Sequence, residues 1–452
     1  MATSFWTLLR VLRQRRAQER SCGWTRAQLE RHQAARLGEL RRFALERSPF
    51  YRRLHRGFEG RPLEDLPIVT KAMLMESFDE VVTDRALRRV DLEAFLRQPP
   101  GPHRFGGRYV VLATSGSTGR RGIFVFDDRE WVSAIASITR PISWQRPGAG
   151  AGRPVRSALI ASSTWWHYSA RVGATLSSRL LPTLRIDAAT PLADMVRELN
   201  AWQPVALAAY PSVLRQLAEE QIAGRLRIPL RHIGTSAEIL TDQIRRRVEL
   251  AWNAKVFDTY GATEYAPIAS ECAHGNKHLF EDGAIIEVVD RRGRAVPAGE
   301  AGDRVLLTIF DRRTQPLIRY ELSDVLRVLP GACPCGRPFT MLGAIEGRIE
   351  DVLTFPGAGA LDEPVSIHPN IFHEQLEIVP AAGWQVVHDR DGLTVNLVGL
   401  EDASWLDSIP SALSATLAAR RAQIPPLTVR RVDQLERGAT GKAPLILSRL
   451  RL

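Results

Sequence analysis

Apolar and polar positions change rhythm along the chain. In residues 1–60 apolar side chains recur at helical spacing, as in Leu37, Leu40, Phe43 and Leu45. They predict helices ending near Ser48-Pro49, ahead of Gly60 and Pro62. Short apolar runs then predict strands at Tyr109–Ala113, Ile123–Phe126, Ala158–Ala161, Val205–Ala209, Val256–Asp258, Ala284–Val289 and Val305–Ile309. Helical patterns fall between several of them, at Pro191–Asn200, Pro211–Ala223 and Thr241–Trp252. The last starts at Thr241-Asp242 and turns Arg245, Arg246 and Arg247 to solvent. Strands alternating with helices predict α/β layers. A turn-rich stretch, Leu329 to Pro338, interrupts the pattern. From about residue 350 a smaller α+β unit follows, with strands near 384–388 and 393–398, a helix near 404–422 and a strand near 427–432. The expected division is a large multi-lobed α/β domain over 1–349, helical and basic in its first 60 residues, and a small domain over 350–452. The boundary falls at Gly347–Asp351.

At 452 residues, 44% apolar and 25% charged, the chain exceeds one compact core and is neither fibrous nor mostly disordered. No apolar run is long enough to cross a bilayer. The net charge of +11 suggests an anionic partner, but its distribution is uneven. Residues 1–60 hold 14 arginines against five glutamates, a net of +9, leaving about +2 for the other 392 residues. The basic region reads as solvated helix faces packed on a larger body; the alternative is a dock for an acidic partner or a phosphate-bearing ligand. Neither nucleic acid nor a membrane is expected as a partner. Arg10 breaks the N-terminal apolar stretch and no small-residue cleavage site follows, so no secretory signal is read. Four cysteines make no disulfide framework, and a reducing cytoplasm is expected. Of the 61 basic residues only Lys71, Lys255, Lys277 and Lys442 are lysines, so each is a candidate for work that arginine cannot do.

The segment Arg108–Phe126 reads as strand, glycine-and-hydroxyl loop, strand. Gly116 and Gly119 admit close approach of a ligand, Thr114, Ser115, Ser117 and Thr118 supply hydroxyls, and Arg120 and Arg121 supply charge. This suits a polyphosphate, although a plain hairpin turn has the same composition. A Walker loop would instead end in Gly-Lys-Ser/Thr and feed a helix. Three of the four cysteines, Cys272, Cys333 and Cys335, fall in one window with His274 and His278. Three thiolates and an imidazole fit a tetrahedral structural zinc site; buried loop cysteines are the other reading. Trp165, Trp166 and His167 in Ser163–Tyr168, and Tyr210 before Pro211-Ser212, follow strands where α/β proteins bind ligands. They line either a flat pocket for an aromatic or alicyclic acid, or the core.

Thr114–Gly119 resembles the phosphate loop of the adenylate-forming superfamily of acyl-CoA synthetases, luciferases and adenylation domains, with Arg120-Arg121 where Pro-Lys is common. Further matches arrive in the family's order. Asp258-Thr-Tyr-Gly-Ala-Thr-Glu264 resembles Tyr-Gly-x-Thr-Glu, and Gly234-Thr-Ser236-Ala237-Glu238 falls at the adenine-contacting turn. Arg319-Tyr-Glu-Leu-Ser-Asp324 resembles Tyr-Arg-Thr-Gly-Asp, Gly347-Arg348-Ile-Glu350-Asp351 resembles the hinge Gly-Arg-x-Asp-Asp, and Glu436–Lys442 resembles the terminal Pro-Arg-Thr-x-x-Gly-Lys. The resemblance implies the adenylate-forming fold, with the two domains joined by a hinge at Glu350. It implies a nucleotide site of Thr114, Ser115, Gly116, Ser117, Thr118, Gly119, Arg121, Ser236, Ala237, Glu238, Asp258, Tyr260, Gly261, Asp324 and Arg348. Within it Tyr260 covers adenine, Thr263 contacts the adenylate phosphate, Glu264 holds Mg²⁺ and Asp324 takes the ribose hydroxyls. Thr263, Glu264 and Lys442 are the implied catalytic residues.

The chain further resembles the phenylacetate–CoA ligase-like, CapK-like and coenzyme F390 synthetase-like branch, some of whose members hold zinc through Cys-x₅-His and Cys-x-Cys. Cys272, His278, Cys333 and Cys335 keep that spacing. The implied activity is ATP-dependent conversion of an aromatic or arylacetic acid to an acyl-adenylate, then transfer to CoA. A carrier-protein thiol or an amine is the alternative acceptor, and a non-catalytic basic binding protein the alternative class. A homodimer is expected by analogy alone.

Overall fold

The N-terminal helices form where their ends are satisfied. Thr25 and Gln28 make a reciprocal capping box at the start of the helix Arg26–Arg47. Ser48 stops that helix and caps another, Pro49–Leu54, through Tyr51 N–H. Helix therefore continues past Ser48-Pro49, because proline is well placed in a first turn. The computed structural model describes residues 5–99, 104–114, 121–145, 156–176, 182–348, 353–359, 365–367, 369–376, 378–423, 425–437 and 443–450. Among these no helix is long and apolar enough to cross a membrane.

The chain forms two compact units, residues 1–185, 257–322 and 326–344, and residues 186–256, 323–325 and 345–452. In the first, the strands Val110–Ala113 and Ile123–Phe126 pair antiparallel and are buried throughout. Ala284–Val289, Arg304–Ile309 and Tyr320–Leu322 form an antiparallel sheet in that order. Val256–Tyr260, Ala269–Glu271, Lys277–Leu279 and the start of Met341–Arg348 form a second antiparallel ladder. The basic helices lie against this body: Arg26 grips Glu281 at 2.9 and 3.0 Å and Arg36 reaches Asp311 at 2.6 Å. Other arginines of the region, including Arg13, Arg16 and Arg20, stay exposed.

In the second unit, Ala206–Ala209 and His232–Ser236 are parallel strands connected through the helix Pro211–Ile222. The terminal residues build a four-stranded sheet in the order Leu427–Arg431, Gly392–Val398, Gly383–Asp389, Ile446–Ser448. Its central pair is antiparallel and each outer strand runs parallel to its neighbour. Trp384, Phe372 and Leu413 sit in its core. Most expected strands and helices form within one or two residues of their predicted bounds; the long terminal helix is shorter, Trp405–Ala418. Short strands such as Ala269–Glu271, Lys277–Leu279 and Tyr320–Leu322 were not predicted, because three residues are too few to show a period.

Candidate functional site

The glycine loop springs from two buried strands, and its neck is closed by a reciprocal pair. Thr114 N–H donates to Gly122 O at 2.9 Å, and Gly122 N–H donates to Thr114 Oγ1 at 2.8 Å. A Cβ at Gly122 would meet the Phe124 ring at 2.9 Å, so a larger residue would have to displace that buried ring. The Arg121 guanidinium lies 5.1 Å over Trp166, whose carbonyl accepts Ala113 N–H at 3.2 Å. Ser115, Gly116, Ser117, Thr118 and Gly119 lie outside the described residues, as do Glu350 and Lys442.

The Tyr-Gly-Ala-Thr-Glu turn follows the strand Val256–Tyr260. Gly261 is fixed by crowding, since a Cβ would stand 2.8 Å from Ala266 Cβ. Ala262 N–H donates to Tyr265 O at 3.0 Å and closes the turn. Tyr260 is buried, Thr263 half-buried, and Glu264 buried with Oε1 accepting from Tyr320 Oη at 2.9 Å. Asp258 points elsewhere: buried, it pairs with Lys277 Nζ at 2.5 Å, and its N–H donates to Glu271 at 3.0 Å. One of the four lysines thus has a structural partner.

Three stretches of this unit meet at Tyr320. Its ring is fully buried, touches Phe124 edge-on at 6.1 Å, and its hydroxyl holds Glu264. Gln315 lines the same strand, accepting Val125 N–H at 3.0 Å and donating to Ile123 O at 3.1 Å. Arg312 is buried 3.7 Å over the Phe126 ring, and burial lowers its pKa despite nearby Glu130 and Glu264. Tyr320, Gln315 and Arg312 were not singled out from the sequence. Tyr320 lies inside a motif of which only Asp324 was weighed; the available signal was a tyrosine in a buried strand, whose hydroxyl needs an acceptor.

The aromatic loop divides. Trp165 is buried edge-on against Phe95 at 5.3 Å, which is packing, while Trp166 carries Arg121. His167 Nδ1 lies 3.0 Å from Ser162 Oγ. Tyr168 Oη donates to Ala266 O at 2.9 Å, tying this loop to the Tyr-Gly-Ala-Thr-Glu turn.

In the second unit Tyr210 is buried at the start of the helix Pro211–Ile222. Ser236 and Ala237 are exposed, and Ala237 holds a left-handed φ of 72°. Glu238 accepts Ser212 N–H at 3.0 Å and Ser212 Oγ at 3.1 Å, so its charge sits on a helix N-terminus. It also accepts Ala443 N–H at 2.9 Å. Ala443 follows Lys442 in the chain. Arg437, of the same terminal motif, donates to Gln216 Oε1 at 2.8 Å and Ala188 O at 3.3 Å. These bonds, with Gln243 donating to the carbonyls of Val379 and Ala381, link residues 186–256 to 345–452 within the second unit. Asp324 is buried at the start of a strand, and the backbone of Arg348 ends another.

Cys272, His278, Cys333 and Cys335 do converge, their ligand atoms all within 4.8 Å of one another. Cys272 Sγ and Cys333 Sγ are 3.8 Å apart, and Cys335 Sγ and His278 Nε2 are 3.3 Å apart. A tetrahedron with ordinary zinc bond lengths has edges of about 3.8 Å between sulfurs and about 3.6 Å between sulfur and nitrogen. His278 Nδ1 faces Phe339 O at 3.2 Å, which leaves Nε2 for a metal. Burial pushes the Cys272 thiol up to about 11. At Cys333 burial opposes ionisation too, but N–H donors from Cys335 and Asn276 outweigh it and its pKa is lowered.

A family described as AMP-binding enzyme matches residues 67–306. The chain is 26% identical over 386 residues to a phenylacetate-coenzyme A ligase of Thermus thermophilus, covering 81% of this chain and 80% of that protein. It is 21% identical over 271 residues to the protein CapK of Staphylococcus aureus, covering 58% of this chain and 53% of that one. Among solved structures, 2-hydroxyisobutyryl-CoA ligase in the postadenylation state shares the fold at a TM-score of 0.72 and 20% identity, over 96% of this chain and 92% of that chain.

Proposed function

The chain belongs to the AMP-binding enzyme family, and on that premise we propose that it activates a carboxylic acid with ATP and passes the acyl group to CoA. The carboxylate attacks the α-phosphate, forming acyl-AMP and releasing pyrophosphate; the CoA thiol then attacks the carbonyl and AMP leaves. The observation that carries this reading is the meeting of the glycine-loop strand, the Tyr-Gly-Ala-Thr-Glu turn and the Arg-Tyr-Glu-Leu-Ser-Asp motif at Tyr320. Three sequence-distant elements with separate family roles share one buried contact.

In this reading Thr114, Arg121 and the loop between them take the polyphosphate, and Glu264 holds Mg²⁺, which supplies charge neutralisation along the phosphates. Asp324 takes the ribose, and Lys442 brings an ammonium to the carboxylate and α-phosphate. Residues 350–452 act as the small domain, turning about Glu350 between half-reactions. Trp166, His167 and Tyr210 are assigned to an aromatic or arylacetic acid, and Trp165 packs edge-on against Phe95 and Trp166. Four ligands at zinc-like spacing support a closed structural zinc at Cys272, His278, Cys333 and Cys335, and a reducing compartment keeps these thiols available.

The test is acid-dependent exchange of labelled pyrophosphate into ATP across aryl, arylacetic and aliphatic acids, with no exchange for any of them counting against the reading. Adding CoA, a carrier protein or an amine to an active mixture then identifies the acceptor. Lys442→Ala abolishes adenylate formation and largely spares transfer from supplied acyl-adenylate; equal loss of both contradicts the role given to Lys442.

A further inference from the structure

The carboxylate of Glu264 is held by a residue that is itself immobilised. Tyr320 Oη donates to Glu264 Oε1 at 2.9 Å, and both side chains are buried. Tyr320 has no exposed surface, so its hydroxyl cannot turn to water and the bond selects one orientation of the carboxylate. Tyr320 is clamped on both sides along the backbone: Val69 N–H donates to Arg319 O at 3.0 Å and Glu321 N–H donates to Val69 O at 2.9 Å. Arg319 adopts a left-handed φ of 48° and is locked there. Its Nη1 donates to Glu64 O and Leu66 O, both at 2.6 Å, its Nη2 to Gly293 O at 3.1 Å, and it pairs with Glu287 at 3.1 Å. Phe124 closes on the ring from the strand that leaves the glycine loop.

We propose that Tyr320 is a positioning residue: its hydroxyl presets the Glu264 carboxylate for the metal of Mg·ATP, and Arg319 sets Tyr320. The inference rests on the reading of Glu264 given above. A carboxylate with one oxygen fixed by a buried donor is oriented before metal arrives, whereas a free one must be ordered on binding. The anchoring also separates the two residues by task. Arg319 spends its donors on backbone carbonyls and Glu287, and the tyrosine beside it carries the link to the site.

Tyr320→Phe deletes the hydroxyl and keeps the ring contacts. In the full-length protein the Mg²⁺ concentration for half-maximal pyrophosphate exchange rises about tenfold, the usual cost of losing an outer partner of a metal ligand, while the KM for the acid is little changed. A readout independent of turnover is Mn²⁺ binding in the presence of a non-hydrolysable ATP analogue, which weakens by the same factor. Thermal unfolding of Tyr320→Phe establishes that it is folded. A Tyr320→Phe protein with wild-type metal dependence, or with a lower rate at an unchanged metal midpoint, overturns the positioning role. Wild-type protein with neither acid-dependent exchange nor metal-dependent nucleotide binding overturns instead the functional reading on which the role rests.

Discussion

His55 is buried 5.2 Å from the Tyr51 ring, and neither ring nitrogen has a hydrogen-bond partner among the described residues. Burial, with the charge of Arg41, lowers its pKa from 6.5 to about 4. The unfolded chain therefore binds a proton between those values that the folded chain refuses, so stability is intact above about pH 6.5 and falls as pH drops towards about 4. Between pH 7 and pH 5 this one group removes about 2 kcal/mol. Urea midpoints at the two pH values measure it, and His55→Leu is expected to flatten the difference; an unchanged difference would show that other groups cause it. Individual residues were unevenly legible. The requirement for glycine at position 261 was visible in its motif, and the structure gives the reason as 2.8 Å to Ala266 Cβ. The engagement of Asp258 with Lys277 was not visible, because an ion pair between residues 19 positions apart depends on strands too short to be read as strands.

At the scale of elements, the convergence of the Cys-x-Cys turn with the loop from Cys272 to His278 was legible because most of the candidate ligands are close in sequence. The parts that hold these side chains in place, Asn276 donating to Cys333 Sγ and Phe339 O facing His278, come from packing and leave no spacing rule. Trp144 joins this cluster to the N-terminal helices: its ring lies edge-on to His278 and stacks on Phe280, in one core with Leu29. Metal analysis of purified protein is expected to find about one zinc per chain. Removing it with a chelator should lower the melting temperature, and first loosen backbone exchange at residues 272–278 and 333–339. Metal-free protein with an unaltered melt and unaltered exchange would assign the four residues to ordinary packing.

At the scale of the whole molecule, the α/β class followed from hydrophobic period and turn chemistry, which are local, and the order of the motifs from the resemblance to the adenylate-forming superfamily. The composition of the second unit did not, since its joining contacts depend on single side chains far apart in the chain. Glu238, read from sequence as part of the adenine turn, bonds Ser212 and Ala443 at once. Glu238→Ala should therefore speed amide exchange at Ala443 by about tenfold and uncouple it from the segment 186–256, with little effect on the four-stranded sheet. Unchanged exchange at Ala443 would mean the contact carries no weight. The scarcity of lysine acquires a meaning at this scale as well. An acyl-adenylate is a mixed anhydride, and any that escapes acylates the nearest unprotonated amine. A guanidinium stays protonated and does not compete for it. Lys277 is paired with the buried carboxylate of Asp258. With 57 arginines and four lysines, the chain presents few side-chain amines to such an intermediate, and nearly all of its basic surface is guanidinium.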